Sequence, residues 1–115
     1  VNLTGVFPIN AVVTPRVRQK LEQLYVPPIS EFDPSLGVTW FIPRECKLKK
    51  SKNGKNFYVV KVIDDNNEMT VIRCWGVDPE KDIVQINRPY MARLNYNQQW
   101  GFSTFSMRKM FKLLA

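Results

Sequence analysis

Residues 44–75 read RECKLKKSKNGKNFYVVKVIDDNNEMTVIRCW. Apolar and polar residues alternate on both sides of Asn53-Gly54: Cys46 and Leu48 with Lys47 and Lys49, then Tyr58, Val60 and Val62 with Phe57, Val59 and Lys61. Period-2 alternation is the mark of a half-buried strand. Asn-Gly is a hairpin signal, because both residues tolerate the positive φ angles of a tight turn. The stretch is therefore read as two long strands around a lysine-rich turn. Arg44, Lys47, Lys49, Lys50, Lys52, Lys55 and Lys61 fall in it with Glu45 as the one acid before Asp64, so the cations belong to a single projecting hairpin.

A second turn cluster, Asp64-Asp65-Asn66-Asn67, leads into Met69-Thr70-Val71-Ile72-Arg73-Cys74-Trp75, a third strand rich in β-branched and large residues. With Ile72 and Cys74 inward, Val71, Arg73 and Trp75 point outward. Beside the outward set of the second strand this makes a face of Phe57, Lys61, Arg73 and Trp75. Rings on which bases stack and cations that pair with phosphates are what single-stranded nucleic acid requires of a binding surface. The plainer reading is that Phe57 and Trp75 cap the core beneath a loop, since barrel strands also bury aromatics.

Upstream, Thr14-Pro15 has the form of a helix start, and Val17, Leu21, Leu24 and Tyr25 recur at helical spacing, predicting a short amphipathic helix over 15–25. Residues 26–37 hold three prolines and end in Gly, which reads as a connector. The chain divides into an N-terminal extension over 1–37, a β-barrel over 38–105 and a C-terminal helix over 106–115. The first strand spans 38–50, with Trp40, Ile42, Cys46 and Leu48 inward and a bend or bulge at Pro43-Arg44. A turn over 76–82 is followed by strands over about 89–96 and 100–105. Ser106 caps the final helix, whose apolar face is Met107, Met110, Phe111 and Leu114.

The expected class is mainly β. Five strands, with a short element between the third and fourth, follow the order of the OB-fold, a five-stranded Greek-key barrel whose ligands lie across strands two and three between two flanking loops. Those loops are 50–55 and 96–100. The candidate nucleic-acid contacts are Lys47, Lys49, Lys50, Lys52, Lys55, Phe57, Lys61, Arg73, Trp75, Arg93, Tyr96 and Trp100.

The run KLKKSKNGKNFYVVKVIDDNNEMTVIRCW resembles the OB domain of bacterial replicative DNA polymerase III alpha subunits, and more widely the anticodon-binding OB family. The matching pieces are Asn53-Gly54-Lys55, the apolar strand from Phe57 to Ile63, and Asp64-Asp65, within a likeness that covers roughly 38–105. The turn here lacks the family's glycine, and the segment after the third strand is shorter. The resemblance implies a module of a replication protein that holds single-stranded DNA, while RNA would be held by the same chemistry.

Charge points the same way. The chain of 115 residues carries a net charge of +7, which favours an anionic partner. Its ten acids all lie at or before Asp82, whereas Arg88, Arg93, Arg108, Lys109 and Lys112 follow with no acid among them. With no histidine and two cysteines, the commonest general base is missing and a zinc site is not expected. The acids Asp64, Asp65 and Glu68, and Asp78, Glu80 and Asp82, lie in expected turns, where solvated turn-forming is the usual role. A non-catalytic chain with no cofactor and no metal is the expectation, and a small nuclease using the acidic turns is the competing reading. No run of about 18 apolar residues and no signal peptide are read in it, so no membrane partner and a cytoplasmic location are expected. Cys46 and Cys74 are read as small buried thiols, with a disulfide between neighbouring strands left open. A reading from another class makes the chain a protein-interaction module that docks other replication proteins through the C-terminal helix.

Overall fold

A computed structural model describes residues 9–66, 68–99, 101–105 and 107–114. Among them the architecture is mainly β, with one curled sheet and one helix of more than a single turn. The elements are α1 (Ile9–Val12), α2 (Pro15–Leu24), a 3₁₀ turn (Ile29–Glu31), β1 (Val38–Lys50), β2 (Asn56–Ile63), β3 (Thr70–Trp75), β4 (Tyr90–Arg93), β5 (Asn95–Asn97), β6 (Gly101–Phe105), α3 (Met107–Met110) and β7 (Phe111–Leu113). Helix α2 starts as its sequence demands: the Thr14 hydroxyl accepts the Val17 N–H at 3.4 Å and Pro15 opens the first turn.

The strand order is β5-β6-β3-β2-β1-β4-β7. Only Leu94 separates β4 from β5, yet they lie near opposite ends of that order, so the sheet must curl until its ends meet. Leu94 is buried in the resulting core, and its N–H donates to the Gly37 carbonyl at 2.8 Å. Neighbours are antiparallel except β3 and β6, which run parallel. Among the described residues there are seven strands rather than five. The strand expected over 89–96 is divided at Leu94, where the chain passes from pairing with β1 to pairing with β6. The expected C-terminal helix does not form. After the single turn of α3, residues Phe111, Lys112 and Leu113 pair antiparallel with β4. The helical spacing of Met107, Met110, Phe111 and Leu114 mimics a helix face, but these side chains serve two cores. Met107 and Phe111 enter the barrel and Leu114 the second cluster. The surface that the protein-docking reading relied on is thus spent on packing.

β1 bends where expected, and the bend alters its faces. Pro43 is opposite Val62 and Glu45 is opposite Lys61, which leaves Arg44 as the extra residue of a bulge. One extra residue reverses the side-chain alternation. Phe41, not Trp40, therefore fills the barrel with Tyr58, Val60, Ile72 and Tyr90. Trp40 and Ile42 face the other way, into a second cluster with Val13, Val17 and Leu21 of the N-terminal segment. Beyond the bulge Cys46 is partly buried, while Leu48 is 47% exposed toward the open end of the hairpin.

The cysteines are not on neighbouring strands. Cys46 is on β1 and Cys74 on β3 with β2 between, a Cα separation of about 9–10 Å by strand spacing, which is beyond the roughly 7 Å a disulfide spans. Both are free, and burial pushes the Cys46 thiol up to about 11 and the Cys74 thiol to about 12. Among the described residues no helix is long and apolar enough to cross a membrane.

Because Trp40 and Phe41 fill separate cores, Trp40→Ala and Phe41→Ala should each cost about 3–5 kcal/mol of stability, read as a lowered midpoint in urea unfolding. A small effect of Trp40→Ala would mean that the N-terminal segment does not pack on β1 in solution.

Candidate nucleic-acid interface

The strand registers assemble a surface from residues scattered in the sequence. Lys49 on β1 is opposite Phe57 on β2, Phe57 is opposite Trp75 on β3, and Trp75 is paired with Phe105 on β6. The next row, two residues along, runs Lys47, Val59, Arg73, Ser103 and Asn95. A third brings Glu45, Lys61 and Val71 together. Beneath these rows Tyr58, Val60, Ile72 and Cys74 are buried, so the outward set is outward because its neighbours close the core. Phe57 and Trp75 stack with centroids 4.5 Å apart at 33°, and Phe105 is 62% exposed. Phe57 and Trp75 are themselves half-buried, so the row is a partly exposed platform on rigid strands, which hold side chains more tightly than loops do.

Two open hollows flank that row. One, of about 440 Å³, is bounded by Ser51, Asn53 and Lys55 from the β1–β2 loop and by Trp75 and Phe105. The other, of about 550 Å³, lies on the far side of the same two rings, against Arg73, Ser103, Asn95, Tyr96 and Asn97. Trp75 and Phe105 are thus the wall shared by both. The loop over 51–55 is longer than a two-residue hairpin, and Gly54 alone carries the positive φ, at 78°. The Ser51 N–H donates to the Lys55 carbonyl at 2.9 Å, and the Gly54 N–H to the Ser51 carbonyl at 2.9 Å, which holds the lysine-bearing tip in one shape.

The predicted cations divide into groups. Lys49, Lys50, Lys52 and Lys55 are exposed and make no ion pair among the described residues. Lys47 and Lys61 both reach Glu45, at 3.1 and 3.4 Å. The Lys47 hydrogen bond, with Lys61 adding to it, holds the Glu45 carboxyl below the usual carboxylate range. Arg44 donates to the Asn87 amide oxygen at 2.7 Å. Arg93 is outside the assembly: it sits where β4 meets the start of β1, its guanidinium 3.5 Å from the Leu36 carbonyl. Tyr96 is half exposed and lines the second hollow, while its ring also meets Phe102 at 5.0 Å and Phe32 at 6.5 Å. Trp100 lies outside the described residues.

Sequence reading missed Phe105, Asn95 and Asn97. Alternation about buried Thr104 turns Phe105 outward, but its place beside Trp75 needs the parallel β3–β6 register. The acidic turns are structural. Asp64 is buried and accepts the N–H groups of Ser30 at 2.7 Å and Asn66 at 2.9 Å. Asp65 takes a two-pronged bond from Arg18, at 2.7 and 3.1 Å. Asp82 accepts the Asp78 N–H at 2.7 Å through its carboxylate and the Tyr58 hydroxyl at 2.6 Å through its carbonyl. Among the described residues no group of three or more His, Cys, Asp or Glu is arranged to hold a metal ion.

Comparison with protein-family models, curated proteins and solved structures returned no match.

The platform and the core beneath it respond differently to truncation. Phe57→Ala or Trp75→Ala should each lose about 0.5–1.5 kcal/mol of ring-pair energy and, because both rings are half-buried, a part of the roughly 1.5–3 kcal/mol that full burial of a side chain gives. Ile72→Ala, one step along the same strand but buried, should cost about 2–5 kcal/mol. Urea titrations of the three variants check the difference.

Proposed function

We propose that this chain is a non-catalytic module that binds single-stranded nucleic acid, DNA in preference to RNA, within a replication protein such as a DNA polymerase III alpha-like polymerase. The observation that carries the reading is the row Lys49, Phe57, Trp75, Phe105, in which three rings on adjacent strands are flanked by lysines that make no ion pair among the described residues. Stacking accepts any base with a free face, and each stacked base contributes about 1–3 kcal/mol. A duplex hides those faces, so unpaired strands are the natural ligand. The lysines of the β1–β2 loop supply the phosphate contacts and the net charge of +7 the long-range attraction.

The barrel itself supports an assignment to the OB class. A meander of β1, β2 and β3, a parallel pairing of the third strand with β6, and a divided β4–β5 strand that bridges β1 and β6 agree with a five-stranded Greek-key barrel to which β7 has been added. The resemblance of residues 38–105 to the polymerase domain is the ground for placing it in a replication protein.

Titration of labelled oligo-dT over a range of salt concentrations tests the reading. Log K should fall with log[salt] at a slope of about −0.7 per phosphate neutralised, for several phosphates. Duplex DNA should bind more weakly, and added magnesium should produce no cleavage. Binding insensitive to salt, or absent at low salt, would sink the proposal.

Glu45 gives a second check. As it holds Lys47 and Lys61, Glu45→Gln should free both cations, tighten oligonucleotide binding and steepen the salt slope. Acid should do the same. The Glu45 carboxyl is depressed in the folded chain, so the pairing persists from neutral pH through the ordinary carboxylate range and is lost only as pH falls through the lowered value. Wild type and Glu45→Gln should therefore converge in affinity only at acid pH.

A further inference from the structure

The hollow on the β5–β6 side of the platform is more than a continuation of it. Trp75 and Phe105 form its wall toward the lysine loop, and Arg73, Asn95, Tyr96, Asn97 and Ser103 complete its lining. Its volume of about 550 Å³ falls within the range of small-ligand sites, about 300–1,000 Å³. Among the described residues the Asn95 amide and the Ser103 hydroxyl have no hydrogen-bond partner, although Asn95 and Ser103 face each other across β5 and β6. The Asn97 amide oxygen, by contrast, accepts the Gln99 N–H at 2.7 Å, which anchors the turn after β5. An aromatic wall facing an uncommitted carboxamide is a different chemistry from rings flanked by lysines: it can read the edge of a base and not only its face.

We infer that this hollow is a base-recognition subsite for an adenine of the bound strand, resting on the single-strand reading above. The ring lies against Trp75 and Phe105. The Asn95 amide nitrogen donates to N7 and its oxygen accepts from the N6 amino group. A carboxamide matches that donor–acceptor pair on adenine, whereas guanine offers two acceptors there. The Ser103 hydroxyl, able to donate or accept, supports either the base or the Asn95 amide. Adenine also has a larger stacking face than a pyrimidine, which suits a wall of two rings. The remainder of the strand is held without regard to sequence.

The test compares oligo-dT with the same oligomer carrying one adenine, moved position by position, and with 7-deazaadenine in its place. The full chain is used, at a salt concentration where oligo-dT binds measurably. One adenine should tighten binding by about fivefold to a hundredfold, the range of one two-bond amide–base pair. 7-Deazaadenine, which lacks the N7 acceptor, should lose most of that gain. Asn95→Ala should abolish the adenine preference, read as the ratio of the adenine-bearing oligomer's affinity to that of oligo-dT, while leaving the unfolding midpoint unchanged, since the Asn95 side chain is exposed and has no hydrogen-bond partner among the described residues. Equal affinity for all bases, or a preference that survives Asn95→Ala, overturns the subsite and leaves the general binding role intact. Failure of every oligomer to bind overturns both.

Discussion

The bulge at Arg44 is the constraint on which the rest of the molecule depends. β1 is too long to lie flat in a small curled sheet. Its first part pairs with β4 and its last part with β2, and the extra residue lets it turn between them. The same residue reverses the alternation. Before the bend, Trp40 and Ile42 face the N-terminal helix while Phe41 fills the barrel. After it, Cys46 and Leu48 follow the inward side, and Lys47 and Lys49 are left in line with the outward rings of β2 and β3. Pro43 suits this place, because a residue without an N–H is least harmful where the ladder is already irregular.

Two cores follow from that reversal. One fills the barrel, and the other glues α1, α2 and the end of the chain to the outer surface of β1. The N-terminal segment is accordingly more than an appendage. The Pro27 carbonyl accepts the Trp40 N–H at 3.0 Å and the Thr39 hydroxyl at 2.8 Å, while Asp64 and Asp65 tie the 3₁₀ turn and α2 to the end of β2. Asp64 and Asp65 are consumed in fastening that side of the barrel, while the face of β1, β2 and β3 carries rings and lysines with Glu45 among them.

The platform combines partial exposure with rigidity. Phe57 and Trp75 are half-buried and Phe105 is exposed, so part of the apolar area of this row stays in water and loses the free energy that burial would have returned. Here the row is held from below by buried residues on β2 and β3 and braced by the Phe57–Trp75 stack. Glu45 adds a modulating element, since a single carboxylate restrains two of the lysines that border the rings.

The sequence by itself determined the outward identity of Phe57, Lys61, Arg73 and Trp75, the lysine-bearing loop and the start of α2. In each case the signal is local: side-chain alternation has a period of two, and a cap or turn needs particular residues within a few positions. Only the tertiary structure decided the rest. A bulge can be suspected from Pro43-Arg44, but whether it reverses the alternation depends on how β2 aligns beside it. Phe105 joins Trp75, and Asn95 joins Ser103, because the sheet curls and β6 enters parallel to β3; no local pattern encodes a pairing between such distant segments. Residues 107–114 carry a helical pattern of apolar side chains, yet an open edge of β4 and two unfilled cores offered more than an isolated short helix can supply.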